Sequence, residues 1–402
     1  MSDKMSDKIS DKIYDFAIIG AGIAGCCSAY YISKETQNII VLDKNSNTAA
    51  GASGAAGAFL NPILGKPNTF KELVTKALNF SVDFYSSKFS DLISSCGTYR
   101  VAKNDEDMEK FWSYEEFIEF DYEKKDDGYL FPIGSVVNSI EICNRLLENI
   151  TQVYNYDVKS LEKKDNCWLI NNDLKAKNIV LTTGANIDLI SEEYVNIRPV
   201  WGQKINVYSS SKVEYNFHKE CSISKSKKIK NTNKYQFSIG ATHNRFGENM
   251  DDTSYNLNLK DVNNISHNNK SLEIINKDTK KLINLANDIL KLEDLEVIDF
   301  KIGARAASND YFPIVGKLID SKKSIEDNPH ILNGSHIKDE NLSSIDNLYI
   351  INGVGGRGYV LSPYLAKVLC ENIFRDKKID NSINSTRLFK RWVKRLKNKG
   401  KK

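Results

Sequence analysis

The sequence has no cysteine pair at C-x-x-C spacing and no histidine at metal-ligand spacing, and its seven cysteines are scattered and odd in number. That pattern argues against both a disulfide framework and a zinc site. An apolar leader is also missing. The start, Met-Ser-Asp-Lys repeated with small changes up to Asp15, lacks the apolar centre of a secretory signal, so cytoplasm is the expected address. Apart from this leader no internal repeat is found. Phe16–Ser33 carries no charge and could be mistaken for a membrane span. Its glycines, and the strand-like Asn38-Ile39-Ile40-Val41-Leu42 that follows, favour a strand-turn-helix unit over a membrane span.

With 402 residues, 41% hydrophobic and 27% charged, the chain has the composition of a globular protein and length for two or three domains. The net charge of +4 hides an asymmetry: residues 387–402 hold nine Lys or Arg and no acid, which leaves the remainder at −5. Within that tail Phe389, Trp392, Val393 and Leu396 recur at helical spacing, with basic residues between them. It reads as a basic amphipathic helix. Three uses fit: neutralising RNA phosphates, attraction to a membrane surface, or docking on the domain with a solvated charged face.

Tyr14–Ile19 reads as a buried strand, Gly20–Gly25 as a tight G-x-G-x-x-G turn, Ile23–Ser33 as a helix and Asn38–Leu42 as a second strand. Asp43 follows about 18 residues after Gly25. Such a unit predicts a parallel sheet and a dinucleotide site. Gly20, Gly22 and Gly25 would let the backbone approach a pyrophosphate at a helix N-terminus, and Asp43 would accept hydrogen bonds from a ribose. A nucleotide-free glycine turn is the alternative.

Ala49–Ala58 is nearly all Gly, Ala and Ser, which suits close approach by a ligand and makes Ser53 and Gly54 candidate cofactor contacts. Phe70–Phe89 has helical spacing. Val153–Asn171 reads as strands joined by a polar turn, and Asn178–Thr183 as a short strand whose end offers Thr183 and Gly184 to the nucleotide. Residues 206–300 alternate strand-like pieces with polar loops at 222–234 and 245–270, and Leu272–Leu292 looks helical. Tyr349–Gly358 is a strand running into a second glycine-rich turn, containing Gly355, Gly356 and Gly358, that opens a helix over Tyr359–Phe374. Such a helix N-terminus could stabilise negative charge on a reduced ring.

Gly51-Ala52-Ser53-Gly54 with Gly57 and Asn61-Pro62, then Gly240-Ala241-Thr242, then Gly303-Ala304-Arg305 with Asp310, Pro313 and Gly316, and last Gly353 to Pro363, stand in the order seen in D-amino-acid-oxidase-like flavoproteins. The set resembles, more narrowly, the FAD-dependent oxidase domain of the MnmC family of bifunctional tRNA wobble-uridine modification proteins, over about Tyr14–Phe374. The resemblance implies an α/β fold, a Rossmann-like FAD-binding domain (14–95, 150–203 and 300–386) interleaved with a smaller, mainly antiparallel β substrate domain (96–149 and 204–299). It implies FAD as cofactor and tRNA as partner. It further implies that flavin oxidises the secondary amine of a 5-carboxymethylaminomethyl group, with hydrolysis of the imine releasing glyoxylate. No segment matches the family's methyltransferase half, so a separate methyltransferase is expected downstream.

Related glycine and sarcosine oxidases place an arginine in the matching Gly-x-Arg segment, which nominates Arg305 to hold the substrate carboxylate; a structural ion pair with Asp310 is the alternative. Arg357, in the flavin loop, would contact the ring or the substrate. Trp201-Gly202-Gln203 lies where the family's chain passes the flavin, and Gly202 is a cofactor-proximal candidate. For His243 two roles stand open, lining the pocket or serving the structure. No metal ligand and no catalytic acid or base is nominated. The competing function is oxidation of a free amino acid such as glycine or sarcosine.

Overall fold

The computed structural model describes residues 12–245, 256–258 and 269–399. The leader up to residue 11, most of the 245–270 stretch and the last three residues of the tail lie outside them. The elements that frame the site begin with β1 (Ile13–Ile19), α1 (Ile23–Ile32), β2 (Ile39–Leu42), α2 (Thr69–Lys88) and β3 (Thr98–Val101). Next come β4 (Leu174–Leu181), β5 (Ile197–Ser209), β6 (Asn216–His218), β7 (Tyr235–Gly240) and α3 (Asn269–Asn287). The last are β8 (Glu296–Ser308), β9 (Ile314–Ile319), β10 (Ser344–Asn352), α4 (Gly358–Arg375) and α5 (Thr386–Lys399).

The first sheet has eight strands. Its parallel centre runs from Thr151–Val153 through β2, β1 and β4 to β10. The hairpin Leu161–Lys164 with Cys167–Ile170, and the strand β9, complete it with antiparallel pairing. Strand alternation sends Phe16 and Ile18 to one face and Ala17 and Ile19 to the other. The first face is covered by α1, α2 and α4 through Cys26, Leu78, Tyr85 and Leu365. Both faces of a parallel sheet must be covered, which explains the all-apolar Ile-Ile-Val-Leu of β2. Asn68 starts α2 by accepting from the backbone N–H of Phe70 and Lys71, each at 3.0 Å.

The second sheet has ten strands and is mainly antiparallel, the exception being β3 alongside β6. Its spine is the long pair β5 and β8, from Ile197 opposite Ser308 to Tyr208 opposite Glu296. The amphipathic α3 packs Ile275, Leu282 and Ala286 on Ile205, Val207, Phe237 and Phe300. The expected domain boundaries at 203/204 and 299/300 therefore fall inside β5 and β8. The ladder between the two strands continues across both positions, so their backbone groups stay paired there. The helix Ser139–Leu146, expected with the substrate domain, instead adds Ile142, Cys143 and Leu146 to the core of the first sheet.

The basic tail is docked. Leu388, Phe389 and Val393 of α5 are buried in the core on the outer face of the first sheet, with Trp392 packed beside them. Arg387 donates from Nε and Nη2 to the two carboxylate oxygens of Asp310 at 3.0 and 3.1 Å, and Arg391 adds a bond of 2.9 Å. Lys390 pairs with Asp339. Among the described residues no helix is long and apolar enough to cross a membrane.

Candidate active site

The two sheets meet around a cavity of about 900 Å³. On the side of the first sheet its wall is the glycine turn. Gly20 adopts φ +107, which puts its carbonyl under Gly25, where a Cβ would lie 1.9 Å from Gly20 O. Gly20 and Gly22 line the cavity; Gly25 does not. Gly25 is thus a packing residue that lets α1 descend onto the strand ends, where a cofactor contact had been expected of it.

Asp43 follows β2 and lines the cavity. Its Oδ2 accepts from Ala21 N at 2.6 Å and its Oδ1 from Asn45 N and Nδ2 at 2.8 and 2.9 Å. A carboxylate has about four lone-pair positions, so one acceptor site remains. Ser53 lines the cavity and its hydroxyl accepts from Ile23 N at 2.9 Å, satisfying one of the free N–H groups at the start of α1. Gly54 faces away: a Cβ would lie 2.3 Å from Ala49 O, and its N–H bonds that carbonyl. It closes the turn instead of lining the site. Thr183 and Gly184, at the end of β4, both line the cavity.

Charge enters from the second sheet. Arg305, on β8, lies over Gly202 of the adjacent β5, where a Cβ would come within 2.4 Å of Nη2. Gly202 borders the cavity and is what gives the guanidinium its room. Arg305 Nη1 donates to Thr242 O at 3.0 Å. Asp310 is held by Arg387 and Arg391, so the alternative ion pair with Arg305 is not formed. Burial lowers the Arg305 pKa to about 10. Arg357 also borders the cavity, beside Gly355, Gly356 and Gly358 at the start of α4, and burial depresses it too.

Arg100 and His218 stand in no recognisable motif of the sequence. They are partners in the register of β3 and β6 and both line the cavity. Burial and then Arg357 bring Arg100 down to about 10. His218 is held well below the usual imidazole range by burial and then by Arg100 and Arg357. His243 and Trp201 line the same cavity, and desolvation followed by Arg305 lowers His243. Lys204, also unforeseen, is buried outside the lining and donates from Nζ to Ala56 O at 2.9 Å; burial, then Lys301, brings it to about 8. Arg100 lies inside a short strand whose ends, Thr98 and Val101, are buried, a placement that the sequence pattern does not signal.

A site with a glycine-turn helix N-terminus on one wall and arginines on the other suits an extended anionic cofactor and a small acidic substrate. Gly51, Gly184 and Gly355 line it with nothing within 4 Å of a would-be Cβ, so the backbone itself meets the open space. A family model described as DAO, FAD-dependent oxidoreductase, matches residues 15–372. The chain belongs to this family. It is an FAD-dependent oxidoreductase, and FAD is its cofactor.

Among curated relatives, the tRNA 5-methylaminomethyl-2-thiouridine biosynthesis bifunctional protein MnmC of Campylobacter fetus is 24% identical over 402 residues, 95% of this chain. The chain spans about 60% of that relative's length. Among solved structures, glycine oxidase from Bacillus cereus superposes with TM-score 0.66 at 17% identity, covering 91% of this chain and 96% of that one. The L-α-glycerophosphate oxidase of Mycoplasma pneumoniae, with FAD bound, gives 0.64 at 14% identity, covering 93% and 99%. These two likenesses are of fold.

Proposed function

We propose that the chain removes the carboxymethyl group from 5-carboxymethylaminomethyl uridine, with or without a 2-thio group, at the tRNA wobble position, releasing glyoxylate and leaving an aminomethyl nucleoside. The observation that carries this reading is Arg305, a largely desolvated guanidinium in the cavity, bonded to one backbone carbonyl and, among the described residues, paired with no carboxylate. A planar fork in that state matches a carboxylate bidentately. The name of the Campylobacter relative supports tRNA as the carrier of that carboxylate.

In this reading Gly20, Gly22 and the α1 N-terminus take the FAD pyrophosphate, and Asp43 takes a ribose hydroxyl. Ser53, Thr183, Gly184 and Gly202 border the cofactor, while Gly355, Gly356, Gly358 and the α4 N-terminus oppose negative charge on the ring. Bound FAD supplies the hydride acceptor for a CH–NH bond. Arg305 fixes the amine carbon by its carboxylate, and Arg357 contacts the ring or the substrate. The positive wall also disfavours an ammonium, so the amine is held in the neutral form from which a hydride leaves. No acid or base is required of the chain. Lys394 and Arg395, exposed on α5, remain free of described ion pairs and would meet RNA phosphates. Action on tRNA places the protein in the cytoplasm.

The glycine oxidase fold favours a second reading, turnover of free glycine or sarcosine in the same cavity. Mass spectrometry of nucleosides from tRNA bearing the carboxymethylaminomethyl group, before and after incubation with the protein, decides between them. Conversion to the aminomethyl nucleoside is expected. Turnover of glycine or sarcosine with unchanged tRNA would overturn the tRNA reading.

A further inference from the structure

One substrate carboxylate accounts for Arg305, yet the same cavity receives two more guanidiniums. Arg100 and His218 stand side by side as register partners of β3 and β6, and Arg357 enters from the turn before α4. All three line the cavity. Arg100 Nε is buried without any hydrogen-bond partner, and among the described residues neither Arg100 nor Arg357 has a carboxylate in ion-pair range. His218 Nδ1 is engaged by Ser222 Oγ at 2.7 Å, which fixes the ring and leaves the other nitrogen available.

The surrounding charges do not cancel the cluster. Lys103 adds positive charge to it. Asp107 exerts the weakest of the three influences on Arg100, and Glu220 lines the cavity from an exposed position. Guanidiniums that serve structure are paired, because a desolvated cation without a partner is costly; unpaired ones that border a cavity are arranged for a ligand. The glycine turn that suits a pyrophosphate is on the other sheet, so the dinucleotide phosphates do not account for this wall.

We propose that Arg100, Arg357 and His218 form a second oxyanion subsite, separate from Arg305, that holds a carboxylate or phosphate carried elsewhere on the amine substrate. The inference rests on the amine-oxidase reading above and extends it: the substrate is doubly anionic within this cavity. In a nucleotide substrate the second anion is a phosphate flanking the modified base. In a free amine it is a second carboxylate.

The test compares FAD-loaded wild type, Arg100→Ala and Arg100→Lys on two substrate pairs. One pair is sarcosine and iminodiacetate; the other is the 5-carboxymethylaminomethyl nucleoside and its 5′-monophosphate. Arg100→Ala is expected to raise KM at least about 20-fold more for a doubly anionic member than for its partner, with partial recovery in Arg100→Lys, from the strength of charge-assisted hydrogen bonds. Selectivity confined to the phosphate pair or to the carboxylate pair identifies the source. Equal changes within both pairs, or loss of FAD in step with activity, overturn the subsite. Calorimetric titration with inorganic phosphate gives a readout without turnover. Affinity should fall about tenfold or more in Arg100→Ala and persist in Arg305→Ala; unchanged affinity in Arg100→Ala overturns the subsite. If no amine turns over at all, the functional reading fails, and the titration still decides the subsite.

Discussion

On the first sheet's side the cavity is bordered by Gly20, Gly22, Gly51, Thr183 and Gly184; on the second sheet's side it is bordered by Arg100, Arg305 and His218. The first wall presents backbone. Its N–H groups and the α1 dipole favour anions with no side chain present, and the few side chains there, Asp43 and Ser53, mostly hold the turn in place. The second wall presents point charges on strands, and one of its glycines, Gly202, makes space for one of them. A backbone wall depends on glycines keeping it bare, whereas a charged wall depends on single side chains.

The largest effect should come from the charged wall. Arg305→Ala is expected to lower kcat/KM for the amine by roughly 100-fold or more, about 3 kcal/mol, while FAD content measured at the flavin absorbance stays near wild type. Equal loss of both would show that the two walls do not divide the labour.

Lys204, on β5 but donating to Ala56 O in the loop of the other wall, tests the seam between them. Burial lowers its pKa from 10.5 to about 8, so from about pH 8 to 10.5 the unfolded chain binds more protons than the folded one, and stability rises with pH. Wild type should gain about 2 kcal/mol relative to Lys204→Met between pH 7.5 and 9.5 in denaturant titrations of the apoprotein. Parallel pH profiles would remove the buried ammonium from the seam.

The same substitution on each wall should separate by symptom. Gly202→Ala pushes the Arg305 guanidinium aside, so KM for the amine should rise about tenfold with FAD retained. Gly51→Ala places a methyl in open cavity, so FAD affinity should weaken several-fold with apoprotein stability within about 0.5 kcal/mol. Reversed symptoms would exchange the assignments.

The smallest effect is at the surface. Lys394→Glu with Arg395→Glu should reduce tRNA affinity several-fold at low salt and flatten its salt dependence, leaving turnover of free sarcosine as in wild type. Unchanged tRNA binding would take α5 out of RNA contact. Deleting the whole helix is a poorer test, because Phe389 is fully buried and Arg387 neutralises Asp310.

The nucleotide wall was legible because its chemistry is local. Gly20 to Gly25, a strand before them and Asp43 after are all determined within about 30 residues, so spacing alone predicts a dinucleotide turn. Even there, which glycines touch the ligand was not: Gly25 and Gly54 are buried in contact with the carbonyls of Gly20 and Ala49, a matter of three-dimensional packing. The α5 helix could be read from its apolar period, but not that Arg387 and Arg391 spend their charge on Asp310, more than 70 residues away.

What the sequence by itself determined is the order of elements and the glycine turns at helix starts, and its resemblance singled out Arg305 as a candidate. What only the tertiary structure decided is the rest of the charged wall. Arg100 and His218 are 118 residues apart and become neighbours solely through the register of two strands, with Arg357 brought in from a third segment. Strand register is set by which face of each strand is buried and by its pairing partners, and that information is distributed over the whole sheet.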